Sequence, residues 1–434
     1  MSDLTPDVLV LGAGPAGLAA ARAAAQGGAG VLLLDSNPAP GGQIWRGATA
    51  GGATQAGRLI REVRTHPRIE VRSGCTLAFA ERLAGRWRLV VSGPHGASGV
   101  QPQRLILATG ATEVFVPFPG WTLPGVVGAG GLQAMVKSGL NIAGQRVVLA
   151  GSGPLLLAVA ATLRQRGAKV LAVAEQTPLP QLARFGLAAG KPAQAAGLLW
   201  QLRGVPVWAD TYPVKASGTD RLEAVTLQRA GRQVTLKCDW LATGFGLRPD
   251  LRAADLLGCA TENGAVQVDS WQQTSLPGVY AAGEITGIGG VEKALAEGHW
   301  AGCAASGQAE RLRGATPGTA FAPFVRSLAR RFAPRPELRH LPDPQTVVCR
   351  CEDVRHGDLQ RCTSWTQAKL QTRCGMGACQ GRVCGAAASV LYGWDSLSSR
   401  PPLFPTSIAT FLDTAPDTAP DPTLDPTHCP EVPS

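Results

Sequence analysis

The chain has 434 residues, which is too long for one compact core and fits two or three domains. A composition with 45% hydrophobic and 17% charged residues excludes a disordered protein, and a net charge of +10 without an aromatic stacking platform or a nucleic-acid motif argues against nucleic-acid binding. The opening residues lack the pattern of a signal peptide, and the longest apolar run, Leu155 to Leu163, is too short to span a bilayer. We therefore expect a cytoplasmic protein without a transmembrane segment.

The first unit along the chain is an apolar run followed by a glycine-rich turn. Residues 7–11 predict a strand, an Ala-rich helix follows the turn, and Val31 to Asp35 predicts the next strand. In this order of elements, glycines allow a tight turn and a close approach to a pyrophosphate, while an acid that ends the second strand binds a ribose. The residues that form this predicted dinucleotide site are Gly12, Gly14, Pro15, Ala16, Gly17 and Asp35.

A second unit repeats this order of elements. Residues 147–153 predict a strand and turn, a helix ends near Gly167, and Lys169 to Glu175 predicts the next strand. Leu156 stands where the third glycine of the motif belongs, which changes the geometry of the site without forbidding a nucleotide. A bound nucleotide and an empty structural unit therefore both remain open. The candidate residues are Gly151, Gly153, Pro154 and Glu175.

Similar strand exits flank the second unit, at Thr109-Gly110 and at Thr243-Gly244, and Ala282-Gly283-Glu284 follows later. They predict an α/β fold in which the second of two Rossmann-like dinucleotide-binding domains is inserted in the first, with a small C-terminal domain. The expected boundaries are 1–140 and 241–310 for the first domain, 141–240 for the inserted domain, 311–344 for an Arg/Pro-rich linker, 345–400 for a cysteine-rich domain and 401–434 for a tail. We expect the tail to be disordered from about residue 414.

The linker carries part of the positive charge of the chain. The stretch from Arg326 to Arg335 is rich in arginine. It is interpreted either as a solvated linker or as a docking face for an acidic partner protein.

Five of the eleven cysteines, Cys349, Cys351, Cys374, Cys379 and Cys384, are crowded into 36 residues, while the other six are scattered. This distribution fits a metal site in a reducing compartment better than a disulfide framework. The spacing is C-x-C followed by C-x4-C, with one more cysteine before the second pair. Four thiolates suit an iron–sulfur cluster, but they also suit structural zinc. The spacing favours iron–sulfur because zinc ribbons and fingers use C-x2-C pairs.

Residues 7–308 resemble the two-dinucleotide-binding-domain flavoproteins of the pyridine-nucleotide oxidoreductase type. The resemblance implies FAD in the first domain, with Asp35 on the adenosine ribose and Gly283 and Glu284 near the ribityl and pyrophosphate groups. It also implies that the backbone at Gly42 and Gln43 approaches the FAD, and we assign Thr109 and Gly110 to the same site. No cysteine precedes Cys75, and none lies between Gly153 and Cys238, so the flavin has no adjacent dithiol and a thioredoxin-reductase-like activity is excluded.

The sequence resembles a narrower group more closely, the α subunits of heteromeric FAD-dependent amino-acid dehydrogenases of the opine oxidase, D-hydroxyproline dehydrogenase, proline dehydrogenase and hydrogen cyanide synthase type. The marks are GGQIWR at 41–46, VPFPGWTLPG at 116–125, GSGPLLL at 151–157, GFGLRP at 244–249 and GEITGIGGVEKALAEG at 283–298. In this group the C-terminal segment is similar to a bacterioferritin-associated-ferredoxin-like [2Fe–2S] domain. Carried over by position, the ligands are Cys349, Cys351, Cys379 and Cys384, and Cys374 is a spare thiol.

The resemblance implies a redox subunit that relays electrons to or from a catalytic flavoprotein partner of the glycine-oxidase type. A further candidate partner is a small [2Fe–2S] subunit. The second nucleotide site would hold NAD(P), ATP or nothing. Two alternatives remain: a self-sufficient NAD(P)H-dependent flavin and iron–sulfur oxidoreductase, and a non-enzymatic nucleotide-holding scaffold. No catalytic acid or base stands out. Of the six histidines, only His299 is a candidate for a position near the flavin.

Overall fold

The computed structural model describes residues 3–48, 52–83, 85–188, 192–312, 318–395 and 399–412. From the N-terminus, the elements are β1 (Val8–Leu11), α1 (Pro15–Gln26), β2 (Val31–Asp35), α2 (Gln55–Thr65), β3 (Ile69–Ser73), β4 (Thr76–Leu83), β5 (Arg86–Gly93), β6 (Gly96–Val100), β7 (Arg104–Leu107) and β8 (Ala111–Glu113). The next elements are β9 (Val126–Gly128), α3 (Ala129–Lys137), β10 (Arg146–Gly151), α4 (Leu155–Gln165), β11 (Lys169–Glu175), α5 (Leu179–Ala188), α6 (Pro192–Gln201), β12 (Val207–Trp208), β13 (Thr211–Ser217), β14 (Ala224–Arg229), β15 (Arg232–Lys237) and β16 (Trp240–Gly244).

The remaining elements lead from the second sheet back to the first and then to the cysteines. They are β17 (Leu247–Pro249), α7 (Arg252–Leu257), β18 (Thr261–Glu262), β19 (Ala265–Val266), β20 (Val279–Ala281), α8 (Gly290–Ala305), α9 (Ala322–Arg331), β21 (Val347–Cys349), β22 (Val354–Arg355), α10 (His356–Leu359), α11 (Trp365–Thr372), α12 (Cys384–Tyr392) and α13 (Ile408–Leu412). Short 3₁₀ turns occur at Glu284–Thr286, Ala309–Leu312, Gly318–Phe321 and Pro336–His340.

Two five-stranded parallel sheets organise the fold. The first has the order β20-β7-β1-β2-β3 and the second the order β12-β11-β10-β16-β9. The central strand β1 is apolar and fully buried, as expected for a parallel strand covered on both faces. The predicted α/β class with two Rossmann-like sheets is therefore confirmed. In each sheet the strand order reverses beside the glycine-containing strand, where α/β sheets bind nucleotides.

Helix α8 packs on α1 through two glycines. A Cβ atom on Gly298 would lie 2.1 Å from the carbonyl oxygen of Ala16, and a Cβ on Gly302 would lie 2.3 Å from that of Ala20. No side chain fits in either position, so the two helix backbones approach closely. This packing places the segment before α8 at the start of α1.

The second unit is longer than the predicted range 141–240. Strand β9 pairs with β16, so both belong to the second sheet although they were expected in the first domain. Helix α3 follows β9 and contacts α4, where Gln133 donates a hydrogen bond to the hydroxyl of Thr162 at 2.9 Å. Strand β9 has only three residues, which is too short a pattern for the sequence to assign it to a sheet. Its pairing with β16 assigns it to the second sheet.

The cysteine segment forms a small unit around a core that includes Val348, Leu359, Trp365 and Ala388. This core continues into the two Rossmann units, because Val116 and Phe245 pack against it. The C-terminal unit therefore sits on the segments that connect the two sheets, beside the antiparallel pair of β8 and β17.

The residues after this unit return to the first one, where Leu403 donates a backbone hydrogen bond to Ala78 at 2.9 Å. The tail that was expected to be disordered lies outside the described residues. Within the described ranges, no helix combines the length and the apolar character needed to cross a bilayer.

Candidate functional site

The glycine turn after β1 touches the exit of β7. Gly12 has a φ of +107°, and a Cβ atom there would lie 2.2 Å from the carbonyl oxygen of Ala108. A Cβ on Gly17 would lie 1.7 Å from the carbonyl oxygen of Gly12. Only glycine fits at either position. The turn therefore lies beside Thr109 and Gly110, the strand exit that sequence analysis assigned to the same site.

A second glycine pair faces the start of α1. Gly41 donates its N–H to the carbonyl of Ala13 at 2.8 Å, and a Cβ on Gly42 would lie 3.0 Å from the Cα of Gly14. Helix α1 begins at Pro15 without a side-chain cap and without an acidic residue in its first turn. Its free N–H groups and the bare backbone opposite form a cradle that fits a pyrophosphate. Gln43 follows this pair, and its side chain is exposed.

Asp35 lies at the carboxyl end of β2 with one acceptor position open. Its Oδ2 accepts the N–H of Ala13 at 2.5 Å, and its Oδ1 accepts both the backbone N–H and the side-chain amide of Asn37 at 2.7 Å. A carboxylate has about four acceptor positions, and three are used by these bonds. The remaining position on Oδ2 can accept a ribose hydroxyl.

A buried ion pair supports the third segment of this site. Lys293 on α8 donates to the carbonyl of Gly283 at 2.8 Å and to Glu297 at 2.7 Å, and both side chains are 4% exposed. Glu297 also accepts the N–H of Gly283 at 2.9 Å. Gly283 has a φ of +89°, and a Cβ there would lie 2.8 Å from the Cβ of Ala16. The pair holds Gly283 against the start of α1, a contribution that sequence analysis did not identify.

Glu284 caps the next turn. Its carboxylate accepts the N–H groups of Gly289 and Gly290 at 3.0 and 2.9 Å. Burial raises the pKa of Glu284, and these two donors oppose that rise. The side chain is therefore occupied in shaping the turn before α8.

Two cations lie beside the glycine pair. Arg46 donates to Asn37 at 2.6 Å, and its buried Nε has no partner among the described residues. Lys137 donates to the carbonyl of Ile44 at 2.9 Å. Burial, with the charge of Arg46, lowers the pKa of Lys137. Positive charge beside the cradle suits an anionic group.

His299 lies away from this edge, on the third turn of α8. Its Nε2 is 3.8 Å from the Sγ of Cys303. Burial, with the charge of Arg22, lowers the pKa of His299. Because Arg22 lies in the third turn of α1, these contacts place the imidazole along the interface of the two helices.

The second glycine turn repeats the geometry of the first. A Cβ on Gly151 would lie 1.9 Å from the carbonyl oxygen of Gly244. Glu175 at the end of β11 accepts the N–H of Gly153 at 2.7 Å, as Asp35 accepts that of Ala13. Burial raises the pKa of Glu175, while the N–H of Thr177 and of Gly153 oppose that rise. Gly151, Gly153, Pro154 and Glu175 thus lie at one edge, as the motif predicts.

Residues 331–335 cover this second edge. The hydroxyl of Ser152 donates to the carbonyl of Phe332 at 2.9 Å, and the side-chain amide of Gln176 donates to the carbonyl of Ala333 at 2.9 Å. Ser152 and Gln176 are 2% and 1% exposed. The segment therefore lies over the Gly151–Gly153 turn, where the motif would place a pyrophosphate. Part of the predicted linker is neither solvated nor free.

The five C-terminal cysteines form one connected group of sulfur atoms. The Sγ atoms of Cys349, Cys374 and Cys384 lie within 4.8 Å of one another, and all three side chains are buried. Cys379 contacts both Cys384 and Cys351. Hydrogen bonds from Cys374 and Cys384 lower the pKa of Cys349 and favour its thiolate. This donor set fits a thiolate-bound metal or cluster, and it includes Cys374, which was assigned as a spare.

Glycines shape the chain around these thiols. A Cβ on Gly377 would lie 2.3 Å from the Cβ of Cys351, and a Cβ on Gly375, where φ is +82°, would lie 2.5 Å from the ring of Trp365. Gly381, with a φ of +78°, lies against the same ring. The glycines therefore allow the segment between Cys374 and Cys384 to wrap around Trp365 and approach Cys351.

The first part of the chain matches a family model. Residues 6–298 match the family described as pyridine nucleotide-disulphide oxidoreductase.

Curated relatives extend the similarity over nearly the whole chain. An opine oxidase subunit of Rhizobium meliloti strain 1021 is 33% identical over 94% of this chain and 98% of its own length. Hydrogen cyanide synthase subunit HcnB of Pseudomonas aeruginosa is 32% identical over 87% of this chain and 90% of its own. Among solved structures, L-proline dehydrogenase from P. horikoshii superposes with a TM-score of 0.66 at 19% identity and covers 94% of this chain and 80% of that one, which shows the fold.

Proposed function

Since this chain belongs to the pyridine nucleotide-disulphide oxidoreductase family and is an FAD-dependent oxidoreductase, we propose that it is the redox subunit of a heteromeric dehydrogenase that oxidises an amino or imino acid. The observation that carries this proposal is the group of five thiols in the C-terminal unit, which packs on the connection between the two Rossmann units. The names of the relatives support it, because the opine oxidase chain and HcnB are both enzyme subunits.

The first site would hold the FAD. The N–H groups at the start of α1 and the bare backbone at Gly42 would bind the pyrophosphate, and the open acceptor of Asp35 would bind the ribose. Gly283, held by Lys293 and Glu297, would close the site from the side of α8. These residues bind and orient the cofactor, and we assign none of them a role as acid or base.

Cys349, Cys351, Cys379 and Cys384 would hold a [2Fe–2S] cluster. Cys374 contacts Cys349 and Cys384 and would donate a hydrogen bond to a ligand sulfur. A flavin accepts two electrons and such a cluster carries one at a time, so the two groups together supply the chemistry of an electron relay. Oxidation of the C–N bond would then take place on a partner, of which a glycine-oxidase-like flavoprotein is the first candidate.

The alternative of a self-sufficient NAD(P)H-dependent oxidoreductase requires NAD(P)H to enter the inserted unit. There the edge beside Gly151–Gly153 is filled by residues 331–335. The contacts of this segment therefore favour the relay subunit over the alternative.

The test is an anaerobic titration of the purified chain, alone and with a co-expressed partner flavoprotein. We expect the isolated chain to be yellow and to keep its flavin absorbance with NADH. When the partner is present, we expect an amino or imino acid from a substrate panel to bleach the flavin absorbance.

Rapid stoichiometric bleaching of the isolated chain by NADH would overturn the relay proposal in favour of the NAD(P)H-dependent alternative. A colourless protein that binds no flavin on reconstitution would point instead to a nucleotide-holding scaffold.

A further inference from the structure

The carboxyl edge of the second sheet is covered by a short segment of the same chain. It lies where the strand order reverses beside β10, the position at which Rossmann-like sheets bind their ligands. Here the ligand position is taken by the segment 331–335, which follows α9 and precedes the cysteine unit.

The side-chain amide of Gln176 forms two hydrogen bonds with the backbone of this segment. Its amide nitrogen donates to the carbonyl of Ala333 at 2.9 Å, and its amide oxygen accepts the backbone N–H of Arg335 at 3.1 Å. The same nitrogen donates to the hydroxyl of Ser152 at 3.0 Å, and that hydroxyl donates to the carbonyl of Phe332. The buried polar atoms of Ser152 and Gln176 thus find their hydrogen-bond partners in the backbone of the segment. If the segment left the edge, both side chains would lose these partners and would have to bind water instead.

Phe332 supplies the apolar part of the contact. Its side chain is buried, and its ring meets the ring of Phe185 on α5 edge to face, with the centroids 4.9 Å apart. The ring of Phe324 on α9 also contacts Phe185, with the two ring centroids 6.0 Å apart. Phe332 also lies next to Gly153, since a Cβ on that glycine would be 4.0 Å from its ring. An aromatic ring thus occupies the space beside the second glycine turn.

Arg335 fixes the end of the segment. Its guanidinium donates to Asp210 at 2.6 Å and to Glu337 at 2.7 Å, and it lies over the ring of Tyr212 at 4.9 Å from the centroid. The hydrogen bond from Arg335 lowers the pKa of Glu337 to about 2. Asp210 and the ring of Tyr212 therefore hold Arg335 on the second unit, while Glu337 belongs to the linker itself.

We propose that the carboxyl edge of the second sheet is a binding site for residues 331–335 of the same chain, and that in the intact protein it binds this segment in place of a dinucleotide. The inserted unit then serves to anchor the chain that leads to the cysteine unit. This inference goes beyond the proposed function, because it holds whether or not a catalytic partner exists.

Limited proteolysis of the full chain tests the seating of the segment, because trypsin can cut between Arg331 and Phe332 only after the segment leaves the edge. We expect slow cleavage there in the wild type and cleavage at least about tenfold faster in Phe332→Ala, which loses the buried ring. Arg330→Ala is the matched control, because Arg330 is the exposed residue directly before Arg331 on α9. Cleavage of this variant after Arg331 should match the wild type. Cleavage after Arg331 that is equally fast in the wild type and in Phe332→Ala would overturn the proposal.

Binding of NADH and NADPH to the full-length protein tests the second part. The readout is quenching of nicotinamide fluorescence, with the flavin spectrum followed in the same cuvette to separate binding from reduction. We expect no saturable binding by the wild type. Saturable stoichiometric binding to the wild type, lost on Gly153→Val, would overturn the proposal even if the flavin is never reduced and the relay function stands.

Discussion

The indole N–H of Trp121 donates a 2.6 Å hydrogen bond to the carbonyl of Val347, two residues before Cys349. Trp121 is 3% exposed and also lies near Phe115 and the guanidinium of Arg350. The bond therefore joins the segment between the two Rossmann units to the strand that carries the first C-terminal cysteine. It makes the position of the cysteine unit depend on a residue more than two hundred positions earlier.

Replacement of Trp121 by Phe should loosen the cysteine unit. The change leaves the carbonyl of Val347 without its donor, and an unsatisfied buried group costs about 1–3 kcal/mol. Hydrogen exchange of peptides from 345–395 should become correspondingly faster. Trp87→Phe is the control, because in the described structure the Nε1 of Trp87 is buried without a partner, so this change removes no hydrogen bond. Equal effects of the two variants would refute a specific role for the bond.

The proposed cluster ligands predict different outcomes at two neighbouring cysteines. Cys379→Ser should abolish iron binding, because it removes one of the four proposed thiolates. Cys374→Ser should keep most of the iron, since a serine hydroxyl can still donate a hydrogen bond to a ligand sulfur. Iron and sulfide content of the purified variants, with their visible spectra, measures both. An equal loss of iron in both variants would place Cys374 among the ligands. The test is needed because the Sγ of Cys374 lies close to those of Cys349 and Cys384.

Loss of Lys293 should destabilise the first unit and its flavin site. Lys293→Met leaves Glu297 buried without its cation, and breaking one side of a buried pair costs about 3–5 kcal/mol. We expect a lower temperature of flavin release, followed by flavin fluorescence during heating. Arg72→Met, which breaks the exposed pair with Glu70, should cost less than about 1 kcal/mol. If Lys293→Met and Arg72→Met release the flavin at the same temperature, the buried pair does not stabilise the flavin site.

The stability of the cysteine unit should fall on mild acidification. The ring of His356 stacks on Tyr392, and its Nδ1 lies 2.7 Å from the hydroxyl of that tyrosine. Burial lowers the pKa of His356 below 6.5, while Asp343 opposes this shift. As the pH falls, His356 therefore takes up a proton in the unfolded chain before it does so in the folded protein. The contribution of neutral His356 to the free energy of unfolding is complete above pH 6.5 and is lost as the pH falls through its lowered pKa in the folded protein.

The direction of this pH dependence can be tested by thermal unfolding of the wild type and of His356→Phe at several pH values between about 5 and 8. The wild type should lose more stability than the variant on acidification. Parallel curves for the two proteins would show that His356 is not responsible. His66→Phe serves as a control, because no comparable stacking holds that half-buried ring in the described residues.

The local motifs of this fold could be predicted because each follows from consecutive residues. A strand, a turn with glycines at positions that exclude a Cβ atom, a helix and an acid-ended strand lie within about thirty residues. The structure places Gly12, Gly42, Asp35 and Gly283 at one edge, as the motifs required. The spacing of the cysteines likewise predicted a thiolate site, because a C-x-C and a C-x4-C pair bring four thiols together within one short segment.

Contacts between distant residues decided the rest. The pairing of β9 with β16 extended the second unit beyond residues 141–240, and residues 331–335 covered the edge beside the second glycine turn. Neither feature has a local signature, because each depends on which surfaces meet after the chain has folded. The sequence by itself therefore determined the family, the two glycine turns and the thiol set. Only the tertiary structure decided that residues 331–335 lie over the second turn, because the hydrogen bonds from Ser152 and Gln176 join residues that are far apart in the chain.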